Sequence, residues 1–174
     1  TTDDAEIAVG VAQAELLIEA DQKEQALATL QHLREQSPKH PHVLKLLQQL
    51  YSEMNEWQGV QDVLPDLRKR HVLDSSGVKN LSTDATVGQL DAAIADENWT
   101  KVNEIWHAAP TKIRHSEPML NAYVGGLVKQ GRDREAGTFI EAFMNNDWSD
   151  RLAYQYGVIT LDKIDAQFER AVKW

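Results

Sequence analysis

The spacing of small residues and a proline constrains the fold of this chain more than any other feature. Ala14, Ala26 and Pro38 follow one another at intervals of twelve residues. Small side chains at the first two positions let two helices approach closely. Pro38 cannot continue a helix, because it lacks an N–H donor and clashes with the preceding turn. The spacing therefore predicts a pair of helices that a proline brings to an end.

The same pattern returns along the chain. A period of about 34 residues that contains two helices is typical of the tetratricopeptide repeat. A shift by one such period places Tyr51 and Trp57 at the aromatic positions of a second helix pair. A longer step of 42 residues leads from Trp57 to Trp99. A fourth set follows one regular period later and comprises Tyr123, Gly131, Ala136, Ile140 and Phe143. The longer step implies about eight extra residues at 71–80.

Helical periodicity supports this interpretation independently. Ala26, Leu27, Leu30 and Leu33 share one stripe, with polar residues opposite, and alternation typical of strands is nowhere sustained. We therefore predict an all-α fold, a right-handed superhelix of antiparallel helix pairs in a single array. Its units are expected at about 7–40, 41–74, 83–116 and 117–150, with a partial fifth at 151–174. Helices are predicted at about 4–20, 22–36, 41–54, 57–70, 82–96, 99–108, 117–130, 133–146, 150–157 and 163–173.

Composition narrows the possible partners. The formal net charge is −9, and the 18 basic residues are scattered among 27 acids, which argues against a nucleic-acid backbone as the main partner. The chain has no cysteine, so it can form neither a disulfide nor a thiolate metal site.

Several segments together resemble one family. They are the turn SPKHPHVL at 37–44, the helix at 57–67 with Pro65, the set Trp106, Pro110 and Arg114, the pair Ala122 and Tyr123, the pair Tyr156 and Gly157, and the segment at 171–174. In this order they resemble the C-terminal tetratricopeptide region of the HemY family, the haem-biosynthesis-associated inner-membrane proteins of proteobacteria.

The resemblance implies a membrane-anchored protein associated with late protohaem synthesis. Two membrane-spanning helices would precede this region, further repeats would follow it, and the repeat domain would lie on the cytoplasmic side of the bacterial inner membrane. The fragment itself is expected to be soluble. The family offers no catalytic residues to transfer, and the flavin-dependent oxidase that shares the name needs a G-x-G-x-x-G motif, which this chain lacks.

The residue types that commonly carry chemistry are better explained here as structural. No HExxH motif occurs, and His40, His71, His107 and His115 fall in turns or near helix ends. No serine lies in a G-x-S-x-G elbow. Trp57, Trp99 and Trp106 occupy repeat positions that normally pack between helices. We predict no catalytic residue, no metal site and no cofactor, and therefore no enzyme.

The remaining candidate is a partner-binding groove. In such arrays the first helix of each unit lines the concave surface and meets an extended or helical partner segment. The repeat offsets select Glu15, His42, Lys45, Gln49, Asp91, Asn121 and Lys129. Of these, Asn121 offers both a donor and an acceptor to a partner backbone, and Lys45 and Lys129 suit a carboxylate.

The sequence thus predicts a non-catalytic protein-interaction scaffold. Its partner would be a peptide or protein, with haem-biosynthesis enzymes as candidates. The alternative is a carrier that binds haem or a porphyrin directly.

Overall fold

The computed structural model describes residues 2–161 and 164–174. In this part of the chain it contains eleven helices and no strand, and the protein is 79% helical. The helices are α1 (Thr2–Glu19), α2 (Lys23–Gln36), α3 (Pro41–Glu53), α4 (Trp57–Lys69), α5 (Ser75–Ala95), α6 (Trp99–Ala108), α7 (Thr111–Arg114), α8 (Glu117–Lys129), α9 (Asp133–Met144), α10 (Asp150–Val158) and α11 (Ile164–Ala171). The all-α prediction is confirmed. The limits of the repeat units and the handedness of the array stay predictions.

Most helix ends lie within two residues of the prediction, and one helix start differs for a physical reason. Helix α5 was expected from residue 82 and begins at Ser75. The Asp74 carboxylate accepts a hydrogen bond from the Gly77 N–H at 2.6 Å, so it caps the helix and turns most of the extra residues into additional helix. The short α7 was not predicted. Lys163, the first residue of the last predicted helix, lies outside the described residues.

One backbone turn recurs between the first and second helix of each pair. The residue at its centre is left-handed in every case: Asp21 with φ 56°, Asn55 with φ 58°, Glu97 with φ 53° and Gly131 with φ 68°. The first two and the last two of these positions are one regular period apart, and the longer step separates Asn55 from Glu97. Between paired helices the turn therefore recurs with the same spacing as the sequence pattern; one further copy, centred on His71 with φ 53° and closed by Val72 N–H to Leu67 at 3.0 Å, ends α4.

Each copy of the turn is closed by the same hydrogen bond. The N–H that follows the left-handed residue donates to the carbonyl five residues earlier, an arrangement that ends helices in the Schellman motif. The four bonds are Gln22 to Leu17 at 2.8 Å, Glu56 to Tyr51 at 2.8 Å, Asn98 to Ala93 at 2.9 Å and Arg132 to Leu127 at 3.0 Å. The turn therefore satisfies the carbonyls at the end of each first helix and sets the start of the second.

The chain divides into two compact halves, one reaching Gly88 and the other beginning at Gln89. In the N-terminal half, α1 packs on α2, α2 on α3, and α3 on α4. The small residues that define the repeat, Ala14 and Ala26, have no exposed surface. Their burial is what the close approach of two helices requires.

A glycine provides a second close approach in the N-terminal half. The indole of Trp57 covers Gly88, where an added Cβ would lie 2.1 Å from Trp57 Cε2. Any larger residue at Gly88 would displace the ring. The contact agrees with the packing role predicted for Trp57.

An aromatic cluster anchors the C-terminal half. Trp106 stacks on Tyr123 with ring centroids 3.8 Å apart and planes 6° apart. Phe139 meets both rings edge-on, at 5.4 Å and 5.5 Å. Trp106 and Tyr123 are each 5% exposed, so Trp106 is a packing residue, as predicted.

The last two helices carry large apolar side chains on an open face. Those more than half exposed are Tyr154, Val158, Ile164, Phe168 and Val172. Within α11, Ile164 and Phe168 are four residues apart and therefore share one side of the helix.

The recurring turn gives a stability prediction. Glu97→Gly should raise the free energy of unfolding by about 0.5–1 kcal/mol, because a side chain in the left-handed region is strained and glycine is not. Gly131→Ala should lower it by about 1 kcal/mol, since no atom lies within 4 Å of the added Cβ and only the dihedral angle opposes it. Urea unfolding followed by circular dichroism measures both.

Glu97→Ala is the matched control, because it removes the carboxylate and keeps the strained Cβ. It should leave stability nearly unchanged. A Gly131→Ala variant as stable as the parent would contradict this account of the turn.

Candidate functional site

Four of the predicted groove residues lie in the N-terminal half, on the first helices of their pairs. Glu15 is on α1, and His42, Lys45 and Gln49 are on α3, all exposed or partly exposed. The three residues on α3 are spaced i, i+3 and i+7, so they share one face. The opposite face is buried through Val43, Leu44, Leu46, Leu47, Leu50 and Tyr51. This burial fixes the helix and leaves its polar face open.

The structure joins two of these residues across neighbouring helices. His42 Nε2 lies 2.9 Å from Glu15 Oε1, and each side chain is 47% exposed. A contact this open to solvent contributes about 0–1 kcal/mol, so its main effect is to orient the two side chains. We name the four residues Glu15, His42, Lys45 and Gln49 the N-terminal polar patch.

Lys45 and Gln49 complete the N-terminal polar patch. Neither side chain has a hydrogen bond or an ion pair with any residue that the structure describes. The Lys45 ammonium carries three donors, and the Gln49 amide carries two donors and an acceptor. Both functional groups are thus available to a ligand.

In the C-terminal half, Asp91 on α5 lies within electrostatic range of Lys129 on α8. Desolvation by the surrounding protein raises the pKa of the Asp91 carboxyl above its ordinary value, although the residue as a whole remains open to solvent. The positive charge of Lys129 acts in the opposite direction and is the weaker of the two effects. The ionised form of Asp91 therefore lowers the free energy of unfolding.

Asn121 is engaged by a residue that the sequence analysis missed. Gln155 Nε2 donates to Asn121 Oδ1 at 2.8 Å and to the Asn121 backbone carbonyl at 3.1 Å. The side-chain acceptor predicted for a partner is thus already used, which leaves Asn121 the donor role. Gln155 lies 34 residues after Asn121, so the repeat offset itself would have selected it.

The Gln155 side chain also contains an unsatisfied atom. Its Oε1 is buried and has no hydrogen-bond partner among the residues that the structure describes. A buried acceptor of this kind costs free energy until a donor reaches it. Because the protein encloses this oxygen, it is not a surface acceptor for a partner.

The predicted residues of the C-terminal half form two separate groups. Asn121 and Lys129 are eight residues apart on α8, which corresponds to about 12 Å along the helix axis. Asp91 accompanies Lys129, and Gln155 accompanies Asn121. We name Asp91, Asn121, Lys129 and Gln155 the C-terminal polar residues.

The other histidine beside the first patch has a structural role. His40 precedes α3, and its Nδ1 accepts a hydrogen bond from the Val43 N–H at 3.4 Å. This contact at the start of α3 agrees with the structural role predicted for His40. Within residues 2–161 and 164–174, no three histidine, aspartate or glutamate side chains are grouped so that they could hold a metal ion.

The chain is similar in sequence to several known proteins. Proteins called Protein HemY from Escherichia coli strain K12, E. coli O157:H7 and Shigella flexneri are each 27% identical to the chain over 146 residues. The chain is a distant relative of the HemY proteins. The matched region covers 84% of this chain and 37% of the HemY relatives, so the chain spans well under half of their length.

Two further comparisons gave no match. No family model matches the chain, and no solved structure matches it. The HemY relationship therefore rests on the sequence comparison and on the segments described above.

Among the described helices, none has both the length and the apolar character needed to cross a bilayer.

The raised pKa of Asp91 predicts a pH-dependent effect on stability. Asp91→Asn should increase the free energy of unfolding at neutral pH, because it removes a desolvated charge. For a carboxyl whose folded pKa is raised, the cost is fully present above the folded pKa and disappears as the pH falls through it towards the unfolded value. The variant's advantage should therefore shrink on acidification, as measured by urea unfolding at a series of pH values.

Lys129→Gln serves as the complementary variant. Removing the cation leaves Asp91 desolvated without its favourable partner, so stability at neutral pH should fall. A constant difference between Asp91→Asn and the parent at every pH would show that the carboxyl titrates as an ordinary exposed group.

Proposed function

We propose that the protein is a non-catalytic scaffold that binds a peptide or protein partner through the polar residues of its first helices. The observation that carries this proposal is the open polar face of α3, where His42, Lys45 and Gln49 align and Glu15 reaches across from α1 to His42. The face is polar and open, whereas the opposite side of α3 is buried.

The rigidity of α3 favours binding. Six buried residues hold this helix, so a partner that meets its outer face does not have to order the backbone first. Lys45 suits a partner carboxylate, because an ionised donor and acceptor form a stronger hydrogen bond than neutral groups do. Gln49 suits a backbone amide, which also needs one donor and one acceptor.

The C-terminal polar residues provide a second place for contact. Lys129 presents a cation, and the Asn121 amide presents a donor beside the unsatisfied Gln155 oxygen. Each half of the chain thus has its own set of partner-directed groups.

A non-catalytic role agrees with the chemistry of these residues. General acid–base catalysis needs a carboxyl or imidazole of perturbed pKa placed beside the reacting atoms in a cleft. Of the predicted site residues, Asp91 has a raised pKa, and it lies at an open position next to Lys129.

The biological setting of the proposal rests on the HemY relationship. The resemblance associates the family with a late stage of haem biosynthesis at the bacterial inner membrane, on the cytoplasmic side. We therefore propose that the partner is a protein of that process and that the scaffold brings such proteins together.

A capture experiment tests the scaffold function. The immobilised chain is exposed to detergent-solubilised membranes of its source organism, and bound proteins are quantified by mass spectrometry. Lys45→Ala and Asn121→Ala should each reduce capture of the specific partner about 5- to 30-fold, as expected when a contact worth about 1–2 kcal/mol is lost. Lys39→Ala and Lys112→Ala remove exposed cations outside both polar sets and should leave capture unchanged.

Two outcomes would contradict the proposal. Equal capture by the parent, Lys45→Ala and Asn121→Ala would place the partner site elsewhere. A saturable change in absorbance and tryptophan fluorescence on titration with haem or protoporphyrin would favour the carrier alternative.

A further inference from the structure

The extra residues that interrupt the regular repeat spacing build a cleft. It lies between the last turns of α4 and the first turns of α5, and its volume is about 1060 Å³. Because Asp74 caps α5 early, the helix extends seven residues beyond its predicted start and forms one wall. The cleft lies entirely within the N-terminal half and shares no residue with the N-terminal polar patch.

Four cationic or ionisable basic side chains line this cleft: Arg68, Lys69, His71 and Lys79. None of these side chains has a hydrogen bond or an ion pair with any of the described residues. Two other cations of the same half are engaged, Lys23 with Glu53 at 3.2 Å and Arg34 with Asp66 at 3.4 Å, whereas single cations such as Lys45 stand open on the surface without neighbours of like charge in a cleft. In a chain with a net charge of −9, a group of unpaired cations around one concavity is a marked local excess of positive charge.

The lining contains one acid, Asp74, whose single negative charge offsets only part of the charge of Arg68, Lys69 and Lys79. Asp74 Oδ1 already accepts the Gly77 N–H at 2.6 Å. Its carboxylate is therefore committed to the start of α5. The rim remains net positive.

The floor of the cleft is apolar and fixed. Leu64 and Leu73 are partly buried and pack against the core of the N-terminal half. Pro65 and Val78 extend the same surface. A partner that covers these side chains gains hydrophobic stabilisation from the apolar surface that it removes from water.

We propose that this cleft is a docking site for an acidic, amphipathic peptide segment of a partner protein. The carboxylates of the segment meet the rim cations, and its apolar side chains lie on Leu64, Pro65, Leu73 and Val78. The proposal goes beyond the scaffold function and does not depend on the first-helix residues. In this proposal, the extra residues that interrupt the repeat spacing form a binding site.

A peptide fits the cleft better than a membrane surface does. An anionic bilayer is met by cations on a convex surface together with apolar side chains that protrude into the interface. Here the cations and the apolar side chains line the same concavity. The most exposed large apolar side chains of the described residues, among them Val9, Leu16 and Phe168, all lie outside the cleft.

Selection from a random peptide library on the whole chain tests this assignment. Binders should be enriched in Asp and Glu interspersed with apolar residues. The variant Arg68→Glu/Lys69→Glu/Lys79→Glu should bind them at least about tenfold more weakly, and added salt should weaken binding to the parent. Lys39→Glu/Lys112→Glu/Arg151→Glu has the same change in net charge away from the cleft and should bind as the parent does.

The neutral variant Arg68→Gln/Lys69→Gln/Lys79→Gln controls for the possibility that the three glutamates unfold the protein. Thermal unfolding of both variants shows whether they are folded. The neutral variant too should lose affinity for the acidic peptides. Selected peptides without an acidic excess, or equal binding by the cleft and control variants, would overturn the proposal. So would weak peptide binding combined with cleft-dependent binding to phosphatidylglycerol vesicles. Lys45→Ala and Asn121→Ala should leave peptide binding intact, so this proposal and the scaffold proposal can fail independently.

Discussion

The backbone hydrogen bond that closes each turn between paired helices is the interaction on which the rest of the structure depends. It requires a left-handed residue at the centre of the turn, at Asp21, Asn55, Glu97 and Gly131. Three of these residues are not glycine, so the protein tolerates a strained dihedral angle in order to keep the geometry. The turn brings the two helices side by side, and the small side chains of Ala14 and Ala26 then let them pack closely.

The placement of functional groups follows from this geometry. Once the helices are paired, one face of each first helix is buried and the other is open, so polar residues at the same offset recur in equivalent positions. Asn121 and Gln155 are one regular period apart and are hydrogen-bonded to each other. Residues at the same offset in successive units can therefore lie in direct contact. The extra residues at 71–80 break the period and lengthen α5, and a basic cleft arises at the point where the regular spacing fails.

The sequence predicted the fold well because the signals for helix ends are local. Pro41 begins α3, and the spacing of Trp57 and Trp99 locates the starts of α4 and α6 to the residue. The start of α5 was missed because Asp74 and the small polar residues after it resemble a loop, whereas the Asp74 carboxylate in fact caps a helix. A cap and a turn use the same residue types, and only the backbone geometry distinguishes them.

The candidate site was less predictable, because pairings between helices depend on distances that a period does not give. The repeat offsets identified Glu15 and His42 individually but gave no indication that they form a pair. They also offered the Asn121 acceptor to a partner, although Gln155 occupies it. The unpaired cations of the cleft follow each other closely in sequence, yet only the structure shows that residues of α4 and of the added turns of α5 line one concavity together with apolar side chains.

The most direct test of the recurring turn is a solution measurement of backbone φ at its four central residues. Chemical shifts and HN–Hα couplings from nuclear magnetic resonance report the sign of φ for Asp21, Asn55 and Glu97, and residual dipolar couplings do so for Gly131. The account predicts positive φ at all four positions, with helical shifts on both sides. Negative φ at Asn55 or Glu97, with helical shifts continuing through the turn, would contradict it.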